Sequence, residues 1–489
     1  MSVTEWAAAE WSATEWNQWP WQHWAIVSPK KQAVQLYGEQ LNWYQLTQRI
    51  NAIASHFHQQ GVVEDSGVIL RGKNSAELLL CYLAVLQCGA RALPLNPQLP
   101  DRLLADLLPN LNMDHGIDFM DSPLSVIQVK KLDWQQKFPA KHQQWMKDAR
   151  KVKEEQWVLW ESLRPASMIL TSGSSGLPKV AVHSIGAHLS SAQSILSCMD
   201  FQPDDSWLLS LPLFHVSGQG ILWRWLQAGA TLMLRDLHPL NLALSGCTHA
   251  SLVPTQLWRL LEQSHEYPLT LKEVLLGGAM IPTELTQRAE ELGIRCWCGY
   301  GLTEMASTVC VKRADKLPGV GKPLPGKSIR LVDEEIQIRA DSIASGYWFN
   351  GELKPLVENK GWFSTRDRGI FEQGELRILG RLDNQFFSGG EGIQPEDIER
   401  IINQHPQIEQ SFVVPVADAE FGHRPVAVIE TQYPELTETI IDWISDKIAV
   451  FQRPVACYLL PSKLKSDGIK VSRQLVNQWI SEVNGKVFG

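Results

Sequence analysis

Residues 171–179 read Thr-Ser-Gly-Ser-Ser-Gly-Leu-Pro-Lys, a run of small and hydroxyl-bearing residues ending in one cation, set between the apolar runs 168–170 and 180–182. Backbone N–H groups in a Gly/Ser turn can converge on one concavity and bind phosphate oxygens, with hydroxyls adding donors and a lysine adding charge. The P-loop pattern G-x-x-x-x-G-K-[ST] does not fit. Pro178 precedes the lysine where glycine is required, and Val180 follows it where a magnesium-binding hydroxyl is required. A mobile linker is the alternative use of this composition. Residues 299–304, Gly-Tyr-Gly-Leu-Thr-Glu, offer a ring to stack on a base, a hydroxyl and a carboxylate. Residues 362–369 hold Asp367, and one carboxylate can accept hydrogen bonds from both hydroxyls of a ribose. Gly380-Arg-Leu-Asp-Asn384 and Gly468-Ile-Lys-Val-Ser-Arg473 follow. Each of these is weak alone, but five in this order point to nucleotide chemistry.

The elements that must position them alternate. Gly67–Leu70 reads as a buried strand, Ser75 as the N-cap of a helix over residues 76–86, and residues 91–95 as the next strand. Similar units recur: strand 207–214, helix 219–228 and strand 230–234, then strand 249–254, helix 255–264 and strand 273–278. This predicts an α/β fold with layered, mostly parallel sheets. Beyond about residue 330, short strands among Gly-rich turns predict a β-rich subdomain over about 320–380. Residues 381–489 predict a small α+β C-terminal domain, including a helix around 436–449, and the boundary falls at Gly380–Asn384. Residues 128–155, rich in Lys, Gln and Trp, read as a solvated surface segment.

Composition excludes several classes. A chain of 489 residues exceeds one core, and a net charge of −8 argues against nucleic-acid partners. The longest apolar stretch, residues 78–90, is too short and interrupted to span a bilayer, and no secretory signal opens the chain. Eight scattered cysteines, with Cys296 and Cys298 one residue apart, read as reduced thiols of a cytoplasmic protein. Tryptophan is abundant, with 20 copies, and Trp6, Trp11, Trp16 and Trp21 recur every five residues, a period of neither helix nor strand. This leader, residues 1–30, reads as an extension packed on the main body, with a partner-binding patch as the alternative.

From about residue 40 to its end the chain resembles the adenylate-forming enzymes: acyl- and aryl-CoA synthetases, luciferases and peptide-synthetase adenylation domains. Residues 213–226, 249–261, 299–310 and 381–399 narrow the resemblance to the o-succinylbenzoate–CoA ligases of menaquinone biosynthesis. It implies ATP-dependent activation of a carboxylate as acyl-adenylate, then transfer to coenzyme A, with Mg²⁺ as cofactor. It implies that Thr171, Ser172, Gly173, Ser174, Ser175, Gly176 and Lys179 handle pyrophosphate. Gly277, Gly278 and Ala279 line the adenine pocket, with Tyr300 and Gly301 also at the nucleotide. Thr303 contacts phosphate, Glu304 holds Mg²⁺, and Asp367 and Arg381 hold the ribose. Lys470 is the catalytic lysine of adenylation, although Ile469 stands where glycine usually precedes it, with Gly468 one position earlier. Asp383 is the hinge of a mobile lid.

His215, after an aromatic, matches the aromatic-pocket motif, in a catalytic or substrate-binding role; a satisfied core histidine is the alternative. o-Succinylbenzoate carries a second carboxylate that is not activated. Arg224, between Trp223 and Trp225, suits it, with Ser217 assisting; an arginine on a helix surface is the alternative. Other readings stay open: a ligase for a different aryl or acyl carboxylate, transfer to a carrier protein, or a nucleotide-binding regulator without turnover. No carrier domain follows residue 489, so an in-line carrier is not expected. No nucleic-acid or stable membrane partner is expected, and a homodimer is left open.

Overall fold

The computed structural model describes residues 4–7, 16–120, 129–134, 158–171, 178–263, 270–279, 281–357, 361–388, 391–418, 421–465 and 471–485. Among these, nine strands form one sheet and eight form another. In the first, Gln32–Leu36, Thr231–Leu234, Ser206–Leu208, His249–Leu252, Glu273–Leu276 and Arg295–Leu302 run parallel. Antiparallel strands, including Ser307–Arg313, close its edges. In the second, Pro165–Thr171, Arg91–Leu95, Gly67–Arg71, His115–Asp118 and Lys130–Lys131 run parallel. The two sheets share an extended apolar core that includes the helices Trp43–Gln59, Ala76–Gln87 and Val216–Ala228. Helix Ala76–Gln87 starts as predicted, with Ser75 Oγ accepting from Leu78 N–H. Nearly every residue of that helix is buried, as expected for one sandwiched between sheets.

A third, five-stranded sheet is antiparallel and contains Lys327–Val332, Glu335–Ala340, Phe363–Glu372 and Glu375–Arg381. Its outer strand is Thr4–Ala7 from the leader, paired with Lys327–Val332. Residues 16–30 of the leader pack on the main body, as expected of an extension. Trp19 and Trp21 are buried, and Trp24 Nε1–H donates to Leu226 O at 2.7 Å. Trp16 Nε1–H donates to Gln227 at 3.0 Å. The indoles thus seal the C-terminal end of helix Val216–Ala228. Trp11 lies outside the described residues.

Past residue 385, two apolar cores draw only on residues 386–480. They lie on either side of the three-stranded sheet of Gln410–Asp418, Gly422–Glu430 and Cys457–Leu459.

Three expectations need correction. The strand predicted over 207–214 stops at Leu208: the Asn74 side chain instead bonds Leu211 O and Leu213 N–H, holding a turn. The helix predicted to 449 ends at Ile444. The surface segment 128–155 is not wholly solvated, because Lys130–Lys131 joins the eight-stranded sheet and Leu132 is buried; residues 135–155 lie outside the described residues.

Candidate active site

Parallel strands bind ligands beyond their carboxyl ends, and Gly277–Ala279, Thr303 and Glu304 stand there. Glu273–Leu276 runs into Gly277–Ala279, and its neighbour Arg295–Leu302 runs into the turn Thr303–Met305. Gly301 is required for packing: a Cβ there would stand 2.1 Å from Ser307 O across the tight hairpin. Pro165–Thr171 and Lys179–Ser184 form an antiparallel hairpin with Thr171 opposite Lys179. Lys179 opens strand Lys179–Ser184 and no helix, so the P-loop pattern fails here in structure as in sequence. Ser172, Gly173, Ser174, Ser175 and Gly176, with the expectation that the loop orders around polyphosphate, lie outside the described residues.

Two charged clusters face this edge. Lys179 Nζ stands 4.9 Å over the Tyr347 ring, and the Tyr347 hydroxyl donates to Glu304 Oε1 at 2.6 Å. Burial and the Glu304 carboxylate raise the Tyr347 pKa, so the phenol keeps its proton. The second cluster surrounds Asp367. Tyr300 O–H donates to its Oδ2 at 2.5 Å and Arg381 Nη1–H to its Oδ1 at 3.2 Å. Tyr300 is thus tied by its hydroxyl as well as presenting a ring. Arg381 also forks onto both oxygens of Asp383, at 2.9 and 3.1 Å.

A third group lies on helix Val216–Ala228. Arg224 is 2% exposed, which rules out the helix-surface alternative. Among the described residues its guanidinium meets the hydroxyls of Ser307 at 3.2 Å and of Ser251 and Thr308 at 3.4 Å, and it stands 5.4 Å over the Trp207 ring. Burial pushes its pKa down to about 9, yet it remains charged at neutral pH without a carboxylate partner among the described residues. Gly220, one turn earlier, keeps that space open: a Cβ there would come within 3.1 Å of both Arg224 Nη2 and Ser307 Oγ. Ser217 precedes Arg224 by seven residues and so shares its helix face. His215 caps this helix without a side-chain cap bond. Its Nε2 is buried and unpartnered, and burial lowers its pKa to about 4, leaving a neutral ring at physiological pH. It is not the satisfied core histidine of the alternative reading.

The sequence did not single out Tyr347, His183 or Lys327. Ser307 and Thr308 were within reach, because they lie inside the stretch 299–310 that carries the resemblance. Lys327 is the least legible. It begins an antiparallel strand, where lysine usually faces solvent, yet it is buried and, among the described residues, donates to Ser194 Oγ at 2.6 Å. Burial lowers its pKa from 10.5 to about 7, against nearby Cys310, Asp341 and Cys198, and Arg224 lowers it further. Between those two values the unfolded chain holds a proton that the folded chain does not. Stability therefore rises with pH across about 7–10.5, and the full cost is present below pH 7. Replacing an unpaired buried cation with an apolar side chain of similar length stabilises by about 1–4 kcal/mol. Lys327→Met is accordingly expected to raise the melting temperature at pH 7 and flatten its rise towards pH 10, as followed by calorimetry.

Residues 21–348 match the AMP-binding enzyme family and residues 397–467 the AMP-binding enzyme C-terminal domain. The chain belongs to the AMP-binding enzyme family. Within it, the chain is 54% identical over 460 residues to the 2-succinylbenzoate–CoA ligase of Salmonella typhimurium, covering 93% of this chain and 96% of that protein. A structure of an E. coli MenE variant with bound OSB-AMS superposes with a TM-score of 0.86 at 52% identity, over 96% of this chain and 99% of that one. The fold also matches Bacillus subtilis o-succinylbenzoate coenzyme A synthetase in complex with ATP and magnesium ion, with a TM-score of 0.76 at 24% identity over 90% of this chain and 95% of that one.

Proposed function

We propose that this chain is the acid–thiol ligase that joins o-succinylbenzoate to coenzyme A in menaquinone biosynthesis. The succinyl carboxylate attacks the α-phosphate of ATP, pyrophosphate leaves, and the CoA thiol then displaces AMP from the acyl-adenylate. The observation that carries this reading is Arg224: a buried guanidinium without an anionic partner, lined by hydroxyls, next to a nucleotide edge. It suits the benzoate carboxylate, the group that is not activated. Ser217 and His215 share the same helix start and line the approach.

The Asp367–Arg381 pair takes the ribose, Gly277–Ala279 and Tyr300 the adenine, and Thr171, Lys179 and Thr303 the phosphates. Glu304 fits a magnesium ion. Its Oε1 is oriented by Tyr347, and Mg²⁺ typically takes one or two carboxylates, with phosphates and water completing the shell. The ion, when bound, offsets charge on the triphosphate. No helix among the described residues is long and apolar enough to cross a membrane. All eight cysteines are free thiols, which supports a cytoplasmic location. A homodimer remains a proposal for sedimentation to test.

We take residues 1–380 as the large domain and 381–489 as a lid that pivots at Asp383. The separate cores past residue 385 support this. In the present orientation Arg259 reaches Glu409 at 3.1 Å and Glu430 at 2.8 Å, contacts that a pivot must exchange. The test measures both half-reactions. ATP–pyrophosphate exchange is expected to depend on o-succinylbenzoate, and CoA to release the thioester; exchange supported equally by unrelated carboxylates would overturn the substrate assignment. Proline fixes φ, so Asp383→Pro is expected to slow thioester formation while leaving exchange largely intact. Asp383→Ala, which removes only the carboxylate, is expected to retain both. Equal losses in both half-reactions of the proline variant would remove the hinge.

A further inference from the structure

The turn that carries Thr303 and Glu304 is held by groups that belong to no part of the nucleotide site. Its backbone is strained: Ala306 has φ +51° and Ser307 φ +108°, values that L-residues keep only when their surroundings impose them. Every carbonyl from Thr303 to Ala306 accepts a hydrogen bond from outside the turn. His183 Nε2 meets Thr303 O at 2.7 Å. Ala344 N–H donates to Glu304 O at 2.7 Å. Ser342 Oγ–H donates to Met305 O at 3.0 Å, and Ser191 Oγ–H to Ala306 O at 2.7 Å. His183, Ser191 and Ser342 are all buried.

His183 is the member that joins the turn to the phosphate hairpin. It sits on strand Lys179–Ser184, four residues after Lys179 and therefore on the same face. A carbonyl can only accept, so Nε2 carries the proton and Nδ1, which has no partner, does not. The ring is fixed from behind. It packs on His188 with centroids 5.0 Å apart, His188 Nε2 meets Ser167 Oγ at 2.6 Å, and His188 stacks on Trp223 at 5.0 Å. The stack runs from the hairpin to the helix that carries Arg224.

We propose that His183 is a positioning residue of the ligase: its bond to Thr303 O sets where the Glu304 carboxylate stands relative to Lys179 and the ATP phosphates. This rests on the reading that Glu304 holds magnesium. A group that orients a metal ligand from behind typically controls affinity by about 10–100-fold.

The test is equilibrium binding of ATP by calorimetry, with and without Mg²⁺ and without the carboxylate substrate, so that no turnover occurs. The readout is the factor by which Mg²⁺ tightens ATP binding. His183→Leu, which keeps bulk and removes the donor, is expected to cut that factor about tenfold. His183→Gln, whose amide N–H can reach the position of Nε2, is expected to recover most of it. Ser191→Ala, which removes the bond to Ala306 O from another element, is expected to act in the same direction more weakly, and it serves if the His183 variants fail to fold. Glu304→Gln is measured alongside. A wild-type factor in Glu304→Gln overturns the magnesium reading and this inference with it. A reduced factor in Glu304→Gln but a wild-type factor in His183→Leu, or in Ser191→Ala where the His183 variants do not fold, overturns the inference alone.

Discussion

Arg224→Ala is expected to lower kcat/KM for o-succinylbenzoate by about 10²–10³-fold, because truncating one member of a buried charge pair costs about 2–5 kcal/mol. KM for ATP should change little, since no described contact links the guanidinium to the Asp367 or Lys179 clusters. The free enzyme already keeps this cation buried among hydroxyls and the Trp207 ring, so the site holds a net positive charge before substrate arrives. An aromatic keto acid lacking the ring carboxylate provides the sharper comparison. It should be a poor substrate for the native enzyme and almost indifferent to Arg224→Ala, because the interaction being removed is one it never makes. Arg224→Lys is expected to fall between, since an ammonium supplies charge without the planar fork that meets two carboxylate oxygens. Steady-state kinetics with both acids decides it, and equal losses for ATP and o-succinylbenzoate would place Arg224 outside the acid pocket.

How much of this was legible in the sequence depended on how local the governing interaction is. The failure of the P-loop pattern was legible because Pro178 and Val180 stand where that loop needs glycine and a hydroxyl. The helix after Ser75 was legible because its cap and apolar run are contiguous. The burial of Arg224 was not: flanking tryptophans show that a helix is apolar, but only strands from distant parts of the chain supply Ser251, Ser307 and Trp207. Lys327 and His183 are a harder case. Both stand at positions that read as ordinary strand residues, and their partners, Ser194 and Thr303, are 133 and 120 residues away. Strand 207–214 was overextended for the same reason, since the hydrogen bonds that divert it come from Asn74. Roles set by local backbone chemistry were readable, whereas those set by what folds over a residue were not.

Lys470→Ala is expected to slow acyl-adenylate formation by about 10³-fold, at the upper end of what removing one preorganised electrostatic group costs. Adenylation brings two anions together, the attacking carboxylate and the α-phosphate, and charge shifts towards pyrophosphate as the bond breaks. In the proposed arrangement Glu304 would hold magnesium and Lys179 would stand at the departing end, so neither would lie between nucleophile and phosphorus. If the C-terminal domain is the mobile lid proposed above, a lysine on it would suit that gap, arriving only on closure. Lys470 lies outside the described residues. Lys465, five positions earlier, pairs with Glu430 at 3.1 Å, and Val471 directly after it is buried in the small core, so both neighbours belong to the C-terminal part. The same substitution should spare thioester formation from preformed acyl-adenylate, because in that step the thiol meets a neutral acyl carbon and, in the proposed pivot, the lid would have turned away. A split between the half-reactions opposite to that of Asp383→Pro is therefore the expected signature. Were Lys470→Ala to slow both half-reactions alike, its part would be structural and the charge gap would need another cation from the large domain.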